Sequence, residues 1–187
     1  MCFINQRTKS KFNEHQDENE NNCGAFSIAY YLHLKGAVCL KDDAGSWKLI
    51  HEIYTQVKFG ESFQAMPSYS SPEKMVEFLT KHNHESKFIA DIKHANEAMR
   101  KILEMMKIEY TNKSMDISDG SYGIIVCYDC SSVQRLHYVL IQKKGGKYRL
   151  WDPNNGKEMT AAEISIGKAV YDPAPWCYSG GYIEIKN

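Results

Sequence analysis

A cysteine, a histidine and an aspartate, in that order along the chain, are the residues with the clearest chemical potential. Cys23 follows two asparagines, His137 lies in the run Leu-His-Tyr-Val-Leu-Ile, and Asp152 follows Leu-Trp and precedes a proline. A thiolate beside an imidazole that is oriented by an acid can attack a carbonyl carbon and form a thioester. These three residues therefore predict thiol-dependent acyl transfer.

The segment that begins at Cys23 must position the thiol. Phe26, Ala29 and Tyr30 recur at helical spacing, which predicts an amphipathic helix that ends near Lys35. The amino end of a helix carries unpaired amides and the positive end of the dipole, and both stabilise a thiolate. We also expect Gly24 to leave room for a substrate backbone to approach the sulfur.

An oxyanion formed at the attacked carbonyl needs hydrogen-bond donors. The backbone amide of Cys23 is one candidate, and a side-chain amide just upstream is the second. The candidates for that second donor are Gln16, Asn19, Asn21 and Asn22.

The turn at Lys143–Gly146 decides whether His137 and Asp152 can meet. A four-residue loop would place His137 directly opposite Asp152. A two-residue loop would place Asp152 opposite Val139, one step diagonal to His137. Side chains alternate with a period of two, so both registers put the imidazole and the carboxylate on one face, whereas a three-residue loop would separate them.

The other periodicities predict helices in the first part of the chain and strands in the second. Helical spacing covers Trp47 to Lys58 and Ile92 to Met106, and a capping serine and a proline begin a further helix at Ser71-Pro72. Short β-prone runs follow at Tyr122 to Tyr128, His137 to Gln142, Lys147 to Trp151 and Gly181 to Lys186. This order predicts an α+β fold with an antiparallel sheet.

The domain organisation predicted from these elements is simple. Residues 1–22 are a polar arm or loop, and residues 23–187 form a single catalytic domain. That domain is helical to about residue 110 and β-rich from about residue 111. A chain of 187 residues is long enough to bury a core of this size.

Composition argues against several classes of partner. The chain has 23 Lys and Arg against 23 Asp and Glu, so no overall basic field predicts binding to nucleic acid. No run approaches the roughly 20 apolar residues of a membrane span. The first residues lack the apolar core of a signal peptide.

The six cysteines are spaced irregularly, and we expect them to be mainly reduced, which favours a reducing compartment. The Cys127-x-x-Cys130 pair has no second half to complete a tetrahedral zinc site, so we interpret it as a strand residue followed by a turn residue. No metal and no cofactor are expected. The full set is Cys2, Cys23, Cys39, Cys127, Cys130 and Cys177.

Taken together, the motifs resemble the papain-like cysteine peptidase superfamily. Asn-Cys-Gly opens a helix, and His-Tyr-Val-Leu-Ile and Leu-Trp-Asp-Pro-Asn-Asn-Gly follow downstream. The pattern is most similar to the bacterial branch that contains double-glycine leader peptidase domains and papain-like effector proteases. The resemblance implies a papain-like fold whose N-terminal helical half, with the nucleophile at a helix N-terminus, packs on a C-terminal antiparallel sheet.

The same resemblance implies roles for the residues. Cys23 would be the nucleophile, His137 the general base and acid, and Asp152 the orienting residue. Gln16 would be the oxyanion donor, although the usual interval of six residues before the cysteine falls on Asp17.

The activity implied is that of a thiol protease acting on a protein or peptide substrate. A bacterial effector acting on a host protein and a cytoplasmic bacterial peptidase both suit the chain. The same triad also suits a glutamine deamidase, a deubiquitinase or an acyltransferase, because all of them pass through a thioester. A catalytically inactive binding domain of the same fold is the non-enzymatic alternative.

Overall fold

The computed structural model describes residues 21–41, 43–59, 69–106 and 109–186 of the chain. These residues form four helices, of which none is both long and apolar enough to cross a membrane. The helices are α1 (Cys23–Leu34), α2 (Ala44–Val57), α3 (Pro72–Lys81) and α4 (Glu97–Met106).

Capping side chains explain where three of the helices begin. The Asp43 carboxylate accepts a hydrogen bond from the backbone N–H of Ser46 at 2.8 Å and begins α2. Ser71 caps α3, with Pro72 in the first turn, as the sequence predicted. The helix predicted from Ile92 begins only at Glu97, because Asn96 Oδ1 accepts from the N–H of Met99 and caps α4 at that point.

Helix α1 is buried on all sides along most of its length. Every residue from Cys23 to Leu32 is buried, so the amphipathic helix predicted from the sequence is instead a central helix. It contacts α2, α3 and strand β4 (Ser132–Lys144). A hydrogen bond from Ser27 Oγ to the carbonyl of Tyr138 fastens it to that strand.

The described residues contain one seven-stranded sheet with the order β2-β1-β7-β3-β4-β5-β6. The β1–β2 pair is parallel and the other pairs are antiparallel. Besides β4, the strands are β1 (Ser86–Ala90), β2 (Thr111–Asn112), β3 (Tyr122–Asp129), β5 (Lys147–Asp152), β6 (Lys157–Ala161) and β7 (Trp176–Ile185).

The structure contains three strands that the sequence did not predict, namely β1, β2 and β6. Strand β1 lies between α3 and α4, inside the stretch expected to be helical, and pairs with β7 near the end of the chain. The arrangement is therefore a mixed α/β fold in which the helical part also supplies one strand of the sheet, β1.

Both faces of the sheet are buried, which explains the almost continuous apolar run of β3. On one face, residues such as Val126 and Tyr138 belong to the core shared with the helices. On the other face, Ile125 and Val139 pack with side chains from the segment between β6 and β7, including Val170.

Candidate active site

Cys23 is the first residue of α1, as the sequence predicted, and only 2% of its surface is exposed. Helix α1 begins with a hydrogen bond from the N–H of Phe26 to the carbonyl of Asn22. The Asn22 side chain makes no capping hydrogen bond. The thiol therefore lies at the amino end of α1, and the side chain of Asn22 does not cap that end.

Gly24 has a different role from the one predicted. A Cβ atom at this position would lie 2.5 Å from both Cβ and Oγ of Ser70, and 2.9 Å from Sδ of Met75. The space beside Gly24 is thus filled by the protein itself, and the expectation that it admits a substrate backbone is wrong. The glycine instead lets Ser70 and α3 pack against α1.

His137 and Asp152 lie together on adjacent strands. The β4–β5 ladder pairs Lys144 with Lys147, so the loop is the two-residue Gly145-Gly146 turn. Extending this register by one step places Asp152 opposite Val139 and diagonal to His137. His137 Nε2 lies 2.7 Å from Asp152 Oδ1, and both side chains are at least 97% buried.

Asp152 is held by more than the imidazole. Its Oδ1 also accepts a hydrogen bond from the backbone N–H of Asn154 at 2.7 Å, and its Oδ2 accepts one from the Tyr171 hydroxyl at 2.5 Å. The side-chain amide of Asn154 lies 3.5 Å from His137 Nε2. The carboxylate is therefore fixed at both oxygens, which fixes the ring that it faces.

The Cys23 side chain lies close enough to the His137 ring to help raise the pKa of the imidazole. Because Nε2 faces Asp152, the ring nitrogen left for the thiol is Nδ1. The structure thus brings together the thiol, the imidazole and the carboxylate that the sequence singled out.

The charges of these groups support one another. Burial acts to lower the pKa of His137, but the hydrogen bonds and negative charges of Asp152 and Cys23 outweigh it and raise the pKa to about 9. Burial acts to raise the pKa of Asp152, but the hydrogen bonds from His137 and Tyr171 and the His137 charge hold it below its ordinary value. The protonated imidazole and the ionised carboxylate are the forms this site favours.

Trp176 covers one face of the imidazole. Its ring lies 4.3 Å from that of His137 between centroids and is tilted by only 21°. Trp176 is itself 6% exposed, so it shields the charged ring from water. Neither Tyr171 nor Trp176 was predicted from the sequence, because neither the segment before β7 nor the start of β7 carries a pattern that indicates contact with β4 or β5.

The predicted oxyanion donors can be placed only in part. Gln16 and Asn19 lie outside the described residues. Asn22 is 3% exposed, and within the described ranges its Oδ1 has no hydrogen-bond partner. Asn21 forms a parallel bridge with Tyr69, two residues before the thiol.

Among the described cysteines, Cys23, Cys39 and Cys127 are free, as expected, and one pair departs from the expectation of reduced thiols. Cys130 and Cys177 form a disulfide, because the end of β3 and the start of β7 lie side by side with Cα atoms 5.2 Å apart. Cys127 is a buried strand residue, as predicted, and pairs with His137 across β3 and β4. Burial raises the pKa of the Cys127 thiol, which keeps it protonated beside the site.

No group of three or more His, Cys, Asp or Glu side chains among the described residues is placed to hold a metal ion.

Comparison with known proteins shows a likeness at a low level. Among solved structures, the chain is similar to the crystal structure of the Pseudomonas avirulence protein AvrPphB. The TM-score is 0.42 and the sequence identity 12%, over 88% of this chain and 90% of that chain. No protein family and no curated protein matches the sequence. A likeness of this degree carries no activity from one protein to the other.

Proposed function

We propose that the chain is a cysteine hydrolase of papain-like type that cleaves a protein or peptide substrate. One observation carries the proposal: the buried His137 ring lies 2.7 Å from the Asp152 carboxylate through Nε2, and near enough to the Cys23 thiol at the start of α1 for the thiol to raise the pKa of the ring. A nucleophile beside a base that an acid orients is what nucleophilic catalysis by a thiol requires.

The proposed reaction begins from an ion pair, in which His137 already holds the proton of the Cys23 thiol. The thiolate attacks the substrate carbonyl carbon, and the oxyanion is stabilised by the backbone N–H of Cys23 and a side-chain amide. Asn22 is the described candidate for that amide, and Gln16 and Asn19 are the alternatives. His137 then donates its proton to the leaving amine, and a thioester forms on Cys23.

Water completes the proposed cycle. His137, neutral after donating its proton, accepts one from water, and the hydroxide attacks the thioester carbonyl. The acid product leaves and the thiol is restored. Asp152 keeps its charge throughout and stabilises the imidazolium each time it forms.

Glutamine deamidation is the second candidate function. The observation in its favour is the 2% exposure of Cys23, since a side-chain amide reaches a recessed thiol more easily than a main-chain amide. Isopeptide cleavage and acyl transfer to an amine belong to the same chemistry. An action on host-cell proteins rests on the resemblance of the sequence to effector proteases.

A peptide library treated with the wild type and with Cys23→Ala tests the proposal. Mass spectrometry of the products should show new amino termini that depend on Cys23. Conversion of glutamine to glutamate without cleavage would select the deamidase instead. If neither product forms, and a peptidyl epoxide that alkylates active cysteine peptidases leaves Cys23 unmodified, the chain is a binding domain.

A further inference from the structure

We propose that the Cys130–Cys177 disulfide is a redox modification site through which a dithiol reductant lowers the reactivity of Cys23. The inference rests on the proposed function, because it concerns the regulation of the same site. It assigns the disulfide a role in holding Trp176 against His137.

The disulfide lies at an irregular end of the sheet. The β3–β7 register shifts between Ile125 and Cys127, so the pairs from Cys127 to Asp129 form a separate outer piece. The β3–β4 register shifts as well, between Tyr128 and Asp129. The Cys130–Cys177 bond is the covalent link across this irregular end.

Trp176 belongs to this outer piece. It pairs with Asp129 at the end of the ladder and immediately precedes Cys177. The N–H of Cys130 also donates to the carbonyl of Pro175, so the chain is held to Cys130 on both sides of Trp176. The disulfide thereby restricts the residue whose ring stacks on His137 at 4.3 Å.

The two sulfur atoms differ in access. Cys130 is exposed, whereas Cys177 is 6% exposed, so an external thiolate attacks the sulfur of Cys130. A mixed disulfide forms at Cys130 and Cys177 leaves as a thiolate, which takes up a proton. The second thiol of the reductant then attacks the reductant sulfur that is bound to Cys130. This closes the disulfide of the reductant and releases Cys130 as a thiol. The protein gains two electrons and two protons, and the dithiol leaves as a disulfide.

Reduction should loosen the cover of the imidazole. Without the covalent link, Trp176 is held by backbone hydrogen bonds, such as that from the N–H of Val170 to its carbonyl, which can break and re-form where the disulfide cannot. The end of the ladder is then free to open, and water reaches the His137 ring and weakens its pairing with Asp152 and Cys23. Displacement of a positioning group by about 1 Å can cost about a hundredfold in rate, so a tenfold loss is a moderate expectation.

The test measures alkylation of Cys23 by iodoacetamide at about pH 6, where an ordinary thiol is largely protonated. Peptide mass spectrometry resolves Cys23 from the other thiols. The samples are oxidised wild type, wild type reduced with dithiothreitol and desalted, Cys130→Ser, and Cys39→Ser as a matched control at an exposed free cysteine. We expect Cys23 to react about tenfold more slowly in the reduced protein and in Cys130→Ser, with Cys39→Ser unchanged.

Three outcomes decide the question. Equal rates for oxidised and reduced wild type would overturn the inference, and so would labelling of Cys130 and Cys177 before any reduction. If circular dichroism shows that Cys130→Ser does not fold, the reduced wild type still decides. Its Cys23 alkylation rate should fall on reduction and recover on reoxidation. A Cys23 rate in oxidised protein that is unaffected by His137→Ala would remove the proposed function as well, which separates the two failures.

Discussion

His137 Nε2 and Asp152 Oδ1 lie 2.7 Å apart although the two residues occupy diagonal positions of the β4–β5 ladder. The diagonal follows from the two-residue turn at Gly145-Gly146, whose φ angles of 59° and 75° suit the mirror-image turns that join twisted strands. The imidazole–carboxylate pair is therefore set by the register of one hairpin.

Asp152→Asn should preserve the fold and lower the activity strongly. The variant keeps the shape of the side chain but removes the charge that stabilises the His137 imidazolium, and we expect kcat/KM to fall by about 10²–10⁴-fold. The comparison is Asn154→Ala, which removes the amide 3.5 Å from Nε2. Full activity of Asp152→Asn together with loss in Asn154→Ala would make Asn154 the orienting residue.

Tyr171→Phe should shift the acid limb of the pH profile of Cys23 alkylation to higher pH. The hydroxyl helps to hold the pKa of Asp152 below its ordinary value, so its removal lets that pKa rise. A depressed carboxyl pKa gives stability that is lost as the pH falls through the folded-state pKa, and in the variant this loss begins at a higher pH. The measurement is the Cys23 alkylation rate between pH 3 and pH 7, roughly the range around the ordinary pKa of aspartate.

Tyr110→Phe is the matched control for that profile. Tyr110 is 42% exposed and loses the same single oxygen atom. Its acid limb should coincide with that of the wild type. An unmoved limb in Tyr171→Phe would show that the hydroxyl does not tune Asp152.

The raised pKa of His137 predicts how stability depends on pH. The unfolded-state pKa is about 6.5, and the folded-state pKa is about 9. The charged His137 therefore stabilises the folded protein fully below the unfolded-state pKa. This contribution is lost as the pH rises through the folded-state pKa. Across that range, the free energy of unfolding of the wild type should fall relative to that of His137→Gln by on the order of 1–3 kcal/mol.

Urea denaturation at several pH values measures this difference. Cys23→Ala and Asp152→Asn should each lower the His137 pKa observed by NMR, because each removes a group that raises it. Parallel pH profiles for the wild type and His137→Gln would contradict the prediction.

Gly24→Ala should destabilise the protein, since the added Cβ would lie 2.5 Å from Ser70 and 2.9 Å from Met75. Such overpacking costs about 1–3 kcal/mol. Gly45→Ala in α2 is the matched control, because its Cβ would meet only Asp43 Oδ1 at 3.6 Å. A helical glycine replaced by alanine in open space stabilises by roughly 0.5–1 kcal/mol, so the two variants should differ in sign in urea denaturation. Equal effects would contradict the packing account of Gly24.

Local patterns predicted Cys23 at the first residue of a helix, and His137 and Asp152 on two neighbouring strands. Helix-start chemistry and strand alternation act over a few residues, so they can be recognised without the fold. The sequence could not distinguish a two-residue loop from a four-residue loop, because both place the side chains of His137 and Asp152 on the same face of the sheet. The observed pairing of Lys144 with Lys147 resolves this choice.

Contacts between distant segments could not be predicted. Strand β1 was missed because its partner is β7, with Ser86 opposite Ile185. Tyr171 reaches Asp152 from 19 residues away through the packing of the segment before β7, and Trp176 reaches His137 in the same way. Irregular cysteine spacing gave no connectivity, so the Cys130–Cys177 bond emerged only from the side-by-side strands.

The rate of Cys23 alkylation at about pH 6 in the oxidised wild type, compared with that of Cys39 in the same sample, tests the central claim most directly. Cys39 is exposed and Cys23 is 2% exposed, so access alone favours Cys39. We predict that Cys23 nevertheless reacts at least about tenfold faster than Cys39, and that His137→Ala abolishes this difference. A slower reaction at Cys23, or an advantage that survives His137→Ala, would contradict an activated thiol at this site.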